Sequence, residues 1–504
     1  MTKCKYKFNA RQWSKSHVVD SPVTGIWTCP HEAYNGVDLC PFHLSKSERD
    51  QIGITDDEVQ ELVYQKIQQP GYKEKQFIDA NLPGLDFSGQ TIESKDERAI
   101  NFAHSTIDGP IRLGGSVVDQ VLVLSHAEIR DFDAMDATFS ERVYFSQATF
   151  HGACDFSRCC FESVSNFKGA RFHTTPSFAT TEFETASFEG TLFRYNASFF
   201  GAQFTGGVDF NRCYLGNSDF KNCCVEGSAM FRHTVVKGLF PLNQFKCEDV
   251  YLGFYSPDNA IIDLGGAELS DFTLTHPYTR NILYNISHAT LGDGHIQPED
   301  DSMNPFSYIY FNNVNFDGFD FSSYHSYFEE LDWEIHSYPD KFESSMGRQE
   351  DIDTDLLEST YLKAKNGAKR VGDVRGVSKF TLKELRFRRM SFWENGQYRE
   401  GLFNLMYGAI AGYGEKPSRV ILTSVVTVVA FAEIYGLILS SDTSLVDQIL
   451  QSYTLSLQAF VSVVFGGGAE IELLLIRLLV GIQGFIGAFL IALFVYSLTI
   501  SVTR

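Results

Sequence analysis

Residues 148–220 read ATFHGACDFSRCCFESVSNFKGARFHTTPSFATTEFETASFEGTLFRYNASFFGAQFTGGVDFNRCYLGNSDF. In and just before this stretch a ring recurs at Phe139, Phe145, Phe150, Phe156, Phe161, Phe167, Phe172, Phe178, Phe183, Phe188, Phe193, Phe199, Phe204, Phe210 and Phe220, and Leu215 fills the skipped step. The spacing is five residues, or five alternating with six. A helix repeats every 3.6 residues and a half-buried strand every two, so neither explains it. Small residues stand two places ahead of many rings: Ala148, Ala170, Ala186, Ala197 and Ala202. A fixed internal period marks a chain built from stacked copies of one unit. The rings are then scaffold, and the ladder holds no catalytic constellation.

This pattern resembles the pentapeptide-repeat family, A-[DN]-[LF]-x-x, in a Phe-rich form. The resemblance implies a right-handed quadrilateral β-solenoid. Five residues make one side and four sides make one coil. The central ring points inward onto its counterpart one coil away, and the small residue leaves room at the corner. Coils would stack about one strand spacing apart, ~4.8 Å, each burying its rings against its neighbours. Weaker matches extend the solenoid over residues 71–325, from FIDANLPGLDFSG at Phe77, through GGAELSDFTL and NISHATL, to FNNVNFDGFDFSSY ending at Tyr324. Residues 231–310 are less regular and are expected to carry insertions.

Ahead of the repeats, residues 1–45 contain TCPHEAYNGVDLCPFH. Cys40 and His43 offer two zinc ligands from one tight turn, and zinc takes four N or S donors in a tetrahedron. Cys29 and Cys4 are the best remaining pair, while His17 and His31 are alternatives for the fourth place. So short a segment has little apolar content, and a zinc-knuckle-like staple would hold it. A helix is expected over residues 46–70, ending at Pro70.

The formal charge of the 504-residue chain is -21. Such an acidic surface argues against a main role in holding nucleic acid. The ten cysteines are scattered, with adjacent pairs at Cys159–Cys160 and Cys223–Cys224. Adjacent cysteines rarely bridge each other, so free thiols in a reducing compartment are expected. The N-terminus lacks the apolar run of a signal peptide. No nucleophile–base pair or phosphate loop is visible, so an enzyme is not expected.

Residues 326–417 read as a cap followed by a helical linker. Within it, KELRFRRMSFW is basic and amphipathic. It is suited either to an anionic membrane surface or to a face paired with acids.

Residues 418–504 hold two apolar runs, 418–440 and 473–500, each long enough to cross a bilayer of ~30 Å. Arg386, Arg388, Arg389, Arg399, Lys416 and Arg419 precede or open the first run, and Arg504 follows the second. The intervening SDTSLVDQILQSYTLSLQ has neither Lys nor Arg. The positive-inside rule therefore places both termini in the cytoplasm of a two-span protein of the cell membrane. Between the runs lies an amphipathic segment, about 445–460, and then the glycine run of VSVVFGGGAEIE.

Together with the linker, this arrangement resembles pentapeptide-repeat proteins with an all-α, two-transmembrane, pore-loop module of the potassium-channel type. The resemblance implies a homotetramer conducting a monovalent cation along its fourfold axis. The filter would comprise Ser462, Val463, Val464, Phe465, Gly466, Gly467 and Gly468. Ser462 stands for the hydroxyl ligand, but β-branched Val464 occupies a place that normally needs glycine and resists positive φ. Strict potassium selectivity is therefore not expected. Glu470 and Glu472 would form acidic rings at the outer mouth, and Gly484 and Gly487 are hinge candidates for gating. The expected function is a cation channel regulated by its solenoid, with a cytoplasmic protein or ion as possible effector. The other expectation is a membrane-anchored scaffold that does not conduct.

Overall fold

The computed structural model describes residues 2–17, 20–93, 99–346, 353–439, 445–465 and 474–503. The chain divides into two compact units, Met1–Asp351 and Ile352–Arg504.

In the first unit the five–six spacing becomes a four-sided parallel coil. One side can be followed in register through Val118, Phe139, Phe161, Phe183, Phe204 and Val225. Rings on each side stack almost parallel along the axis: Phe150 on Phe172 at 4.6 Å, Phe156 on Phe178 at 4.9 Å, Phe161 on Phe183 at 5.0 Å and Phe167 on Phe188 at 4.8 Å. Around a corner they meet edge to face, as Phe167 meets Phe178 at 5.6 Å and 85°. Each ring therefore has favourable aromatic neighbours both along the axis and across the coil.

Two residues beyond the ring, on two of the four sides, the backbone takes positive φ. One column runs Gln147, Gly169, Gly190, Arg212 and the other Arg158, Thr180, Gly201, Asn222. Non-glycine residues accept this conformation because hydrogen bonds to the next coil fix it, as in Gln147 N–H to the Lys168 carbonyl at 2.8 Å. The small corner position has its own polar contact. The Thr181 hydroxyl donates to the Phe156 carbonyl at 2.6 Å and Thr191 to Phe167 at 2.8 Å. Cys159 and Cys213 occupy equivalent places and donate to Ala134 and Phe188. The scattered cysteines of the repeats thus include corner residues, and all ten are free thiols.

Within residues 231–310 the coil keeps its regular step as far as Leu291, and the expected insertion follows it, before Phe316. The register continues from Val225 to Cys247, Leu269 and Leu291. Two changes disguise it: aliphatic side chains replace many of the rings, and sides merge into long strands. These are β3 (Cys224–Val236), β4 (Lys246–Tyr255), β5 (Glu268–His276) and β6 (Thr290–Pro298), numbered after β1 and β2 below. Enlarged coils come at the two ends of the stack, where Leu82 pairs with Ile107 and Leu291 with Phe316.

Both ends of the solenoid are covered, as exposed strand edges require. At the start, β1 (Lys7–Asn9) pairs antiparallel with β2 (Ile26–Thr28), with α1 (Ala10–His17) between them. Helices α2 (Lys46–Ile52) and α3 (Asp56–Gln68) follow, each opened by a capping box, Ser45 with Glu48 and Thr55 with Glu58. Helix α3 buries Val59, Val63 and Ile67, and Ile67 shares an apolar cavity with Leu85 and Phe87 of the first coil. At the far end, α4 (His325–Glu330) and buried Phe321, Phe328 and Trp333 close the stack.

The second unit begins with a helical hairpin, α5 (Thr354–Val371) and α6 (Val374–Glu394). Gly372 turns the chain in the left-handed conformation, and Asp373 caps α6 by accepting from Gly376 N–H. Tyr361 stacks on Phe387 at 5.3 Å. Arg388 reaches Glu358 and Glu384, both at 2.7 Å, and Lys365 also holds Glu384. The basic run is thus at least partly an acid-paired face. Helices α7 (Tyr398–Ala411), α8 (Pro417–Ile438), α9 (Leu445–Phe465) and α10 (Leu474–Thr503) complete the unit. Pro417 opens α8, where its missing N–H has no helical partner to lose.

Candidate metal centre and membrane helices

Cys4 precedes β1, Cys29 follows β2, and the Cys40–His43 turn leads into α2. Pairing of β1 with β2 brings the distant Cys4 beside Cys29, and Cys4 N–H donates to the His31 carbonyl at 2.9 Å. Cys4, Cys29, Cys40 and His43 are all buried, and their ligand atoms lie within 4.8 Å of one another. The Cys29 and Cys40 sulfurs are 3.8 Å apart, and His43 Nδ1 lies 3.2 Å from Cys40 Sγ and 4.0 Å from Cys4 Sγ. A tetrahedron with metal bonds of ~2.3 Å to sulfur and ~2.0 Å to nitrogen puts its ligands roughly 3.5–3.8 Å apart. The donor set therefore fits a metal such as zinc.

A second layer of contacts orients the imidazole. His43 Nε2 donates to the Ile78 carbonyl at 3.0 Å, which leaves the Nδ1 lone pair for the metal. Tyr6 stacks on the same ring at 4.0 Å and hydrogen-bonds Asp79 through its hydroxyl. Ile78 and Asp79 belong to the first coil, so the candidate centre and the start of the solenoid share one set of contacts.

The two histidine alternatives lie elsewhere. His31 is buried between Phe42 and Phe77 and donates Nε2–H to the Gln76 carbonyl at 2.9 Å. His17 is exposed and stacked on Trp13 at 4.3 Å. The Cys4 thiol is pushed up to about 11 by its hydrogen bond with Cys40 and by burial. Burial acts to lower His43, but the adjoining Cys4 and Cys40 thiols outweigh it and carry the imidazole up to about 9. Metal binding must displace these protons, so affinity should fall on acidification, by roughly tenfold per pH unit for each proton released. A chelator competition across pH 5–8 checks this; an affinity that does not change with pH would contradict it.

Helices α8 and α10 are the two described helices long and apolar enough to span a membrane. With the solenoid they fit a membrane-anchored protein. Helix α9 packs against both. Tyr435 on α8 donates to Gln483 on α10 at 2.8 Å, and Gln483 Nε2 reaches the Ser456 hydroxyl and carbonyl on α9 at 2.7 and 3.0 Å. Ser456 in turn donates to the Val428 carbonyl of α8 at 2.7 Å. Sequence reasoning singled out the glycines of α10 and missed this node, although a glutamine inside so apolar a run was its signal. Glu433 on α8 accepts from the Tyr453 hydroxyl at 3.1 Å.

The candidate filter is described only in part. Ser462, Val463, Val464 and Phe465 form the end of α9, whereas the sequence led us to expect the chain to leave the helix there. Gly466, Gly467, Gly468, Glu470 and Glu472 lie outside the described residues. Helix α10 runs unbroken through the hinge candidates. A Cβ on Gly487 would stand 2.0 Å from the Phe460 carbonyl oxygen, and one on Gly484 would stand 2.9 Å from Val463. Both glycines permit close approach of α9 and α10. Gly487→Ala should therefore force the helices apart and cost about 1–3 kcal/mol. Gly481→Ala meets nothing within 4 Å and should be neutral or stabilising. Thermal unfolding in detergent compares the two.

No curated protein matches the chain. A family model described as Pentapeptide repeats (9 copies) matches residues 145–192, the most regular part of the Phe ladder, and the solenoid is accordingly one of pentapeptide repeats.

Proposed function

We propose that the protein is a cation channel of the two-transmembrane, pore-loop type, working as a homotetramer with its pentapeptide-repeat solenoid as regulatory body. The observation that carries this is the placement of α9. It lies between two candidate spans, is clamped to α10 at Gly484 and Gly487, and is hydrogen-bonded through Ser456 to both. It leads directly into FGGGAEIE, a sequence whose three glycines and two acids suit a cation path. Two spans per subunit cannot enclose a pore, so conduction requires an oligomer. The loop without Lys or Arg supports both termini being cytoplasmic. The metal centre has a structural role, since its donors are buried and form a closed four-ligand set.

Purified protein in vesicles should release trapped monovalent cations, and Glu470→Gln with Glu472→Gln should slow release by weakening cation attraction at the mouth. Equal release from protein-free vesicles would reject the proposal. A second reading, a membrane-anchored scaffold without conduction, draws on the helical state of Ser462–Phe465, which leaves less chain for a filter.

A further inference from the structure

The helix before the first candidate span is inside out by the standard of a soluble protein. Helix α7 buries Gly401, Gly408 and Ala411. It exposes Tyr398, Leu402, Phe403, Leu405 and Met406, with Phe403 73 % exposed and Tyr398 63 %. Water-facing helices place large apolar residues on the inward stripe. Here the smallest residues face inward: Gly401 sits under the Trp393 ring, and a Cβ on Gly408 would stand 2.6 Å from the Tyr413 ring.

Two hydrogen bonds fix the level of this segment against the spans. Arg419, near the start of α8, donates to the Gly408 carbonyl at 3.2 Å. Ser497, near the far end of α10, donates to the Gly414 carbonyl at 2.8 Å. Helix α7 is thus tied to the end of the bundle where α8 enters and α10 leaves, the level of a lipid–water boundary. The chemistry around it suits that level. Trp393 and Tyr398 pair at 5.8 Å beside the apolar face, and aromatic rings with a polar edge favour headgroup depth. Exposed Arg399, Lys416 and Arg419 supply cations there, against exposed Glu394 and Glu400.

We infer that α7 lies in the membrane interface, with Leu402, Phe403, Leu405 and Met406 in the upper acyl region of an anionic leaflet and its flanking cations among the headgroups. It rests on α8 and α10 crossing a membrane, and not on conduction. The sequence offered the basic run of α6 for such a role; the structure puts the exposed apolar face on the next helix instead.

The test uses the full chain in phosphatidylglycerol–phosphatidylcholine vesicles, with Phe403→Trp and, separately, Leu402→Trp. Emission added over the parent should be quenched most by lipids brominated near the glycerol end of the acyl chain, less by tail-end bromines, and little by aqueous iodide. Strong iodide quenching would overturn the inference. Resistance to both quenchers would also overturn it, because a second copy of the chain or another part of it would then cover the face. Vesicle flotation separates the two levels. A chain that does not float with vesicles fails the membrane reading itself, and one that floats but gives the wrong quenching fails this inference alone.

Discussion

Cys40→Ser is expected to remove metal from the purified protein and to unfold the segment ahead of the solenoid. Cys40 is central to the group: its thiol approaches Cys29 and His43, and its backbone N–H donates to Cys4 Sγ at 3.2 Å. Apart from the metal group, the segment is held by Phe42 and His31 packed on Phe77 and by hydrogen bonds such as Ser21 with His104. Its small apolar cluster consists of Phe8, Ala10 and Ile78 with partly buried neighbours. Structural zinc supplies about 10–16 kcal/mol of apparent binding energy in small zinc-stabilised folds, far more than such a cluster provides. Elemental analysis should find zinc in the parent and none in the variant, and residues 1–45 should become sensitive to protease. The later coils should keep their protection, because each coil is stabilised by its neighbours. Cys224→Ser, at a half-exposed solenoid thiol, is the control and should keep the metal. Retention of zinc by Cys40→Ser would contradict the assignment.

The second large effect is expected at Phe178. Its ring stacks between Phe156 and Phe199 at 4.9 and 4.8 Å and meets Phe167 and Phe188 edge-on. Phe178→Ala removes a ring from the middle of this stack, where neighbours fixed by inter-coil hydrogen bonds cannot collapse into the space. The cost should be about 3–5 kcal/mol. Phe200 offers the comparison within one sequence. It follows Phe199 directly but points out of the coil and is 43 % exposed, so Phe200→Ala should change stability by no more than about 0.5 kcal/mol. Hydrogen exchange of the surrounding coil amides reads both. Similar losses for the two variants would mean that the inward register is wrong.

The Phe ladder was legible because its five–six step has no rival among common periods. The coils after Phe231 were not, because Val, Leu, Ile and Tyr can stand inside a coil without marking its phase, and merged sides lengthen the strands. Cys29, Cys40 and His43 could be grouped from local sequence. Cys4 could not be preferred decisively over His31 without the β1–β2 pairing that carries it across. His31 misleads because it lies beside Cys29 in sequence yet is taken up by two Phe rings and the Gln76 carbonyl. Helix α7 escaped notice for a related reason. Leu402, Leu405 and Met406 look like core residues, and only their exposure reveals otherwise. The end of α9 shows the limit of matching letters to a filter, since Ser462–Phe465 still complete helical turns.

Current recorded across a planar bilayer holding the purified, full-length protein tests the proposed function most directly. With a potassium chloride gradient across the bilayer, the channel should show discrete openings whose reversal potential shifts toward the potassium equilibrium value. Glu470→Gln should give a smaller unitary current, through loss of charge at the mouth. A protein shown to be tetrameric and membrane-inserted that passes no current, or one whose reversal potential follows chloride, would contradict the proposed function.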